Sequence, residues 1–289
     1  MEQNAQTLLE TFPDSGRTGY LLRRTFDEVT QVVDELYDEL SVSAFRPKFC
    51  ELEFSARGAL PGVAFSGKRC RGVVEGFVDR VDVWQSGGRP YVRVVDYKTG
   101  KKSFDYTNVL HGRGLQMLLY LFALVRQGGH LLHGEPLPAG VLYFPARIER
   151  VSVRDRLAQA EIEKERRKQL RRSGVLLNSD PVLEAMEPCG GSPRFLPYTL
   201  DKEGRKTGDL ASFVQLAQLE RFVFRTVAAL GDELADGRID PDPCIRDAKD
   251  SACAFCPYSE VCAGHEQPRW LKKITAEEFW QTLERREHG

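Results

Sequence analysis

Apolar and polar positions alternate along this chain in several distinct rhythms. Residues 17–41, "RTGYLLRRTFDEVTQVVDELYDELS", carry Leu22, Phe26, Val29, Val33, Leu36 and Leu40 at steps of three and four. That spacing predicts one apolar stripe along a long amphipathic helix, with the stripe packed into a core. From residue 47 to 98 the pattern is that of strands: "KFCELEFSA", "RGVVEGFVDRVDVW" and "PYVRVVDYK" are rich in valine and aromatics. "QSGGR" separates the last two, and a double glycine between such runs predicts a hairpin. Residues 113–126, "RGLQMLLYLFALVR", are almost wholly apolar but hold Gln116 and Tyr120 four apart. At about 14 residues this reads as a buried helix, shorter than the ~20 residues of a membrane span. "AGVLYFPAR" at 139–147 predicts another strand, and 155–172, "DRLAQAEIEKERRKQLRR", a charged helix. A Pro/Gly-rich connection at 187–208 leads to a helix over 209–236 that ends near Gly237. The expected class is therefore α/β. Its expected blocks are a helical segment at 1–45, a mixed core at 46–240 with the charged helix 155–172 inserted, and a tail at 241–289 closing on a helix.

Composition narrows the picture. With 289 residues, 42% apolar and 29% charged, the chain suits an ordinary globular protein of one large or two small domains. Its start, "MEQNAQTLLETFPDSG", lacks the basic opening and apolar centre of a secretory signal, so a cytoplasmic protein with no membrane partner is expected. Basic and acidic side chains number 41 and 42, a balance that predicts no general affinity for nucleic acid. A local basic groove would be needed. The candidates are Arg166, Arg167, Lys168, Arg171 and Arg172, which read either as a solvated helix face or as phosphate contacts.

The hairpin permits a geometric test. With Gly87 and Gly88 as its two turn residues, Asp79 falls directly opposite Asp96, with Cβ atoms ~4.5–5.5 Å apart. Lys98 shares the face of Asp96. Two facing carboxylates repel, and the arrangement becomes favourable when a divalent cation sits between them. Oxygen donors of this kind suit Mg²⁺ or Mn²⁺. The bland alternative is an exposed network in which Lys98 merely neutralises two aspartates.

"GFVDRVD" (76–82), "VVDYKTG" (94–100) and "QMLLY" (116–120), in this order, resemble the PD-(D/E)XK nuclease superfamily and within it the RecB-like branch. The resemblance implies a restriction-endonuclease-like core, a mixed central sheet flanked by helices. It implies Asp79, Asp96 and the backbone carbonyl of Tyr97 as metal ligands, Lys98 as the catalytic lysine, and Gln116 and Tyr120 as a helix pair at the site. Asp82 lies on the other strand face and reads as a structural partner for Arg80 or a neighbouring strand; Glu75 shares the parity of Asp79 and is a lesser candidate.

Seven cysteines include four within residues 244–262, and "CAFCPYSEVC" spaces Cys253, Cys256 and Cys262 as metal thiolates are spaced. Spacing alone fits zinc, with Cys244 or His265 as fourth ligand, as well as an iron–sulfur cluster. A C-x₂-C-x₅-C tail behind a RecB-like motif is similar to helicase–nucleases of the AddAB type. That likeness implies a [4Fe–4S] cluster on Cys253, Cys256 and Cys262, and Cys244 is the candidate substitute for its fourth ligand. It also implies single-stranded DNA as substrate and an AddA-type helicase–nuclease subunit as partner. Members of that family carry a first cluster cysteine and a ligating histidine ahead of the first long helix. Here no histidine precedes His111, and the earliest cysteines, Cys50 and Cys70, fall on predicted strands, so the chain is expected to begin inside the domain. "TGKKS" at 99–103 lacks the upstream glycine spacing of a phosphate-binding loop and supports no ATPase motor. The expected activity is Mg²⁺-dependent exonucleolytic cleavage of DNA in double-strand-break repair. A non-cutting module that binds DNA or a partner, and a zinc-stapled regulator, remain as alternatives.

Overall fold

The computed structural model describes residues 16–100, 103–147, 159–246, 251–262 and 268–288. The helices are α1 (Gly16–Val42), α2 (Tyr106–Leu110), α3 (Gln116–Gln127), α4 (Gly129–Leu132), α5 (Gln159–Leu170), α6 (Asp180–Met186), α7 (Phe213–Ala235) and α8 (Ala276–His288). The strands are β1 (Arg46–Phe54), β2 (Val63–Ser66), β3 (Arg71–Val74), β4 (Gly76–Ser86), β5 (Arg89–Lys98), β6 (Leu137–Pro145), β7 (Ser173–Leu177), β8 (Tyr198–Leu200), β9 (Lys206–Gly208), β10 (Leu210–Ala211), β11 (Cys244–Ile245) and β12 (Arg269–Trp270). Six of them form a mixed sheet in the order β1-β4-β5-β6-β7-β10, and helices flank it.

Two compact units divide the chain, each assembled from three separate stretches rather than consecutive blocks. Residues 1–50, 79–104 and 139–210 make the first, and 51–78, 105–138 and 211–289 the second.

In the first unit the double-glycine hairpin forms as expected. Ser86 pairs with Arg89, and Gly87 and Gly88 take φ of +57° and +76°, the left-handed values that a two-residue hairpin turn needs. Strand β6 pairs antiparallel with β7, from Tyr143 against Ser173 to Gly140 against Leu176. The stretch at 187–208 is more than a connection, since Tyr198 to Leu200 pair with Lys206 to Gly208 as a small hairpin. Helix α1 departs from its expectation. Its buried residues are Gly19, Glu35 and Glu39, while Val29 and Val33 stay 45% and 38% exposed. Two buried carboxylates are tolerable because arginines from distant strands and loops meet them, as described below.

In the second unit α3 buries every residue from Met117 to Leu124, as its apolar run predicts. The long strand expected over 71–84 breaks into β3, which pairs with β2, and β4. The break falls at Glu75; at Gly76, the first residue of β4, an added Cβ would collide with the hydroxyl of Tyr120. The β2–β3 turn is tied to α7 by Asp232, whose carboxylate accepts the amides of Lys68 (2.8 Å), Arg69 (2.7 Å) and Cys70 (3.2 Å). Helix α7 starts later than expected because Leu210 and Ala211 are extended and Ser212 caps it. Ser212 Oγ accepts from the Gln215 amide at 3.2 Å and Gln215 Oε1 accepts from the Ser212 amide at 2.8 Å, a reciprocal capping box.

Candidate active site

The site is built on the β4–β5 hairpin of the first unit. Its ladder runs from Ser86 opposite Arg89 to Arg80 opposite Val95. One further step of that register sets Asp79 against Asp96 on the face shared by Lys98. Beyond Arg80 the strands are joined by side chains: Asp79 Oδ2 accepts the amide of Tyr97 at 2.8 Å. Lys98 Nζ lies 2.5 Å from Asp96 Oδ2, with the two side chains 28% and 13% exposed. The pair is thus too enclosed to be an ornament of the surface. The carbonyl of Lys98 accepts the amide of Ala146 at 2.8 Å, which anchors the end of β5. Tyr143, buried on β6, has its hydroxyl pushed up to about 12 by burial and then by the charge of Asp96, so it stays protonated at neutral pH.

One ammonium faces two carboxylates here, and the surplus negative charge suits a divalent cation. The carboxylates of Asp79 and Asp96 are hard oxygen donors of the kind that suits Mg²⁺ or Mn²⁺, ions that retain several waters. Among the described residues no group of three or more His, Cys, Asp or Glu side chains is placed to hold a metal. The carboxylate pair is therefore without a third ligand of those types among the described residues.

Alternate residues of the hairpin point to the opposite face and form a buried ionic layer. Arg80 donates from Nη2 to Asp82 Oδ2 at 3.1 Å, and Arg93 donates to Asp82 at 2.8 Å and to Glu39 of α1 at 2.9 Å. Arg172 reaches the same Glu39 at 2.5 and 3.0 Å and Glu35 at 3.4 Å. Burial pushes the Glu39 carboxyl up, but Arg172, Arg93 and Arg80 outweigh it and hold the group below the usual carboxylate range.

This layer corrects the expected basic patch. Arg172 is 2% exposed, and its guanidinium lies 4.0 Å from the Phe144 ring centre, so no phosphate can approach it. Arg171 is spent on backbone, donating to the carbonyls of Leu196 and Tyr198. Arg167 and Lys168 pair with Glu163 (3.2 Å) and Glu165 (2.9 Å) on the surface of α5. Arg166 sits half-buried among them. Residues 155–158 of the expected helix lie outside the described residues.

Comparison with known families decides the lineage. The model of the PD-(D/E)XK nuclease superfamily matches residues 2–263. This chain belongs to the PD-(D/E)XK nuclease superfamily. Relatives include the B subunit of the ATP-dependent helicase/deoxyribonuclease of Moorella thermoacetica, 35% identical over 258 residues, 88% of this chain and 22% of that protein. The proteins of the same name from a Thermoanaerobacter species and from Oceanobacillus iheyensis are each 28% identical, over 94% and 86% of this chain and 24% and 22% of theirs. The chain thus spans about a quarter of the length of these relatives.

The remaining residues singled out in this PD-(D/E)XK chain lie in the second unit. Tyr120 is 3% exposed and stacks on Phe54 with ring centres 5.0 Å apart. Gln116, at the start of α3, is exposed. His111 lines a cavity of about 440 Å³ with Arg225 and Arg286. Its pKa is lowered by burial and then by Arg269, Arg286 and Arg113. The expected thiolate cage is not assembled among the described residues. Cys253 precedes Cys256 in one tight turn, with the Cys256 amide on the Cys253 carbonyl at 3.2 Å, while Cys244 is held in a strand pair opposite Arg269.

The expected pairing of Asp82 with Arg80 is present, with Arg80 Nε 2.9 Å from Asp82 Oδ1. One side chain near the hairpin was missed. Tyr143 had no signal, because β6 reads as uniformly apolar.

Proposed function

We propose that this chain is a metal-dependent deoxyribonuclease domain that hydrolyses phosphodiester bonds of single-stranded DNA from an end. It would do so beside an AddA-type helicase–nuclease subunit in double-strand-break repair in the cytoplasm. The observation that carries the reading is the enclosed trio of Asp79, Asp96 and Lys98 on one strand face. Asp79, Asp96 and the Tyr97 carbonyl would hold Mg²⁺ or Mn²⁺, which when bound polarises the phosphodiester and acidifies a water. Lys98, fixed against Asp96, stabilises the charge that grows on the phosphate and orients the attacking water. The neutral Tyr143 hydroxyl adds a proton-bearing group in the field of Asp96. Arg166, Arg167 and Lys168 contact phosphates by exchanging their surface ion pairs, which are worth only ~0–1 kcal/mol each.

The names of the relatives support a helicase partner and a DNA substrate. No helix among the described residues is long and apolar enough to cross a membrane. For the tail we propose a [4Fe–4S] cluster on Cys253, Cys256, Cys262 and Cys244, supported by the likeness of this tail to that of AddAB-type helicase–nucleases; iron and sulfide analysis of anaerobically purified protein, with zinc as the opposing result, tests it.

The test of activity uses end-labelled single-stranded DNA with Mg²⁺, with the chain alone and with a helicase partner. Asp96→Ala and Lys98→Ala should each abolish degradation, and cleavage that survives both would overturn the assignment. A second reading, a DNA-binding module that does not cut, is favoured by the absence of a third His, Cys, Asp or Glu ligand among the described residues. DNA binding by the native protein without cleavage in either metal would establish it.

A further inference from the structure

The hairpin holds its two aspartates with more than backbone pairing, and the extra device lies on the far side of the sheet. Backbone pairing extends to Arg80 opposite Val95. Past that point Tyr97 is gripped twice. Its amide donates to Asp79 Oδ2 at 2.8 Å on the front face. Its hydroxyl accepts from Arg80 Nη1 at 2.6 Å on the back face. The ring is wedged as well, 5.2 Å from the Phe144 ring centre and 5.5 Å from the Arg80 guanidinium. Arg80 cannot swing away, because it is 2% exposed and its Nε lies 2.9 Å from Asp82 Oδ1. Asp82 is fixed in turn by Arg93 at 2.8 Å.

Tyr97 is the residue between Asp96 and Lys98, and Arg80 follows Asp79. A bond between their side chains therefore sets the spacing of the two backbones that carry the front-face groups. We infer that the Arg80–Tyr97 pair is a positioning device that fixes the Asp79, Asp96 and Tyr97-carbonyl donors for a divalent cation. This rests on the nuclease reading proposed above. Neither side chain touches substrate; both act through the strand. The geometry also couples the amide of Tyr97 to the site, since Asp79 Oδ2 accepts that amide. Loosening Tyr97 on the back face would let Asp79 and Asp96 drift on the front face, and affinity for the ion would fall before the chemistry did.

The test is Mn²⁺ binding to the isolated chain, followed by electron paramagnetic resonance, in Tyr97→Phe, which keeps the ring and removes the hydroxyl. Outer-shell partners of metal ligands typically change affinity by ~10–100-fold, and a weakening of about ten-fold is expected here. In the metal-free protein the amide of residue 97 should exchange faster in Tyr97→Phe than in the native chain. Cleavage by the variant should recover at saturating Mn²⁺, a recovery that general loss of structure would not produce. Glu35→Gln serves as the control: it disturbs the same buried layer away from Arg80 and should lose stability with no change in Mn²⁺ affinity. Native affinity and native amide exchange in folded Tyr97→Phe would overturn the inference alone. Absence of Mn²⁺ binding in the native chain would remove the nuclease reading and this inference with it.

Discussion

In helix α3 every residue from Met117 to Leu124 is buried and all are apolar or aromatic. In helix α1 the buried residues are a glycine and two glutamates, while Val29, Val33 and Tyr37 remain exposed. Both helices show apolar spacing in the sequence, yet one hides its hydrocarbon and the other its charge. Periodicity reports which side of a helix is apolar. It does not report what lies opposite. For α1 the opposite wall is a set of arginines, Arg93 and Arg172, that reached the interior on other elements and needed anions. Burying two glutamates against them avoids leaving cations uncompensated in a low-dielectric interior.

That contrast can be broken most severely from the ionic side. Arg93→Met should leave the buried layer one positive charge short, with Glu39 held by Arg172 alone and Asp82 by Arg80 alone, and cost about 3–5 kcal/mol, seen as a lower midpoint in urea unfolding. Leu121→Ala, in the fully buried α3, should cost about 2–5 kcal/mol by transfer and cavity formation, read in the same titration. Acid sharpens the distinction further. The Glu39 carboxyl has a lowered pKa when folded, so its contribution is complete above its ordinary value of 4.5 and is lost as pH falls through the folded value. Thermal melts should therefore fall more steeply with pH below 4.5 in the native chain than in Glu39→Gln. The smallest effect belongs to the open stripe: Val33→Ser should change stability by no more than about 0.5 kcal/mol. A loss of several kcal/mol there would show that the stripe is covered in solution.

Much of the fold was legible where the signal was local. Gly87 and Gly88 specify their turn, and the register follows from turn length, so Asp79, Asp96 and Lys98 could be brought together on paper. The buried run of α3 was legible for the same reason. Three features were not. The split of the 71–84 strand falls beside Gly76, whose close approach to Tyr120 joins residues far apart in sequence. Arg172 reads as a surface cation until Glu39, 133 positions away, is known to meet it. The start of α7 turns on Ser212 and Gln215 satisfying each other's amides, a reciprocal arrangement that the apolar spacing of 209–236 does not report.

The bridge from Glu39 to Arg172 also bears on the order in which the chain acquires its structure. It closes a loop of 133 positions, and such closures grow costlier only as the logarithm of loop length but must precede the contacts that reward them. During synthesis α1 emerges with Glu35 and Glu39 facing no cation, and Arg93 becomes available well before Arg172 does. The first unit, drawn from residues 1–50, 79–104 and 139–210, therefore cannot close its ionic layer until the third stretch has been made. We expect the ionic layer to consolidate late in refolding, with the amides of α1 around Glu35 and Glu39 gaining protection only once residues 139–210 have joined the first unit.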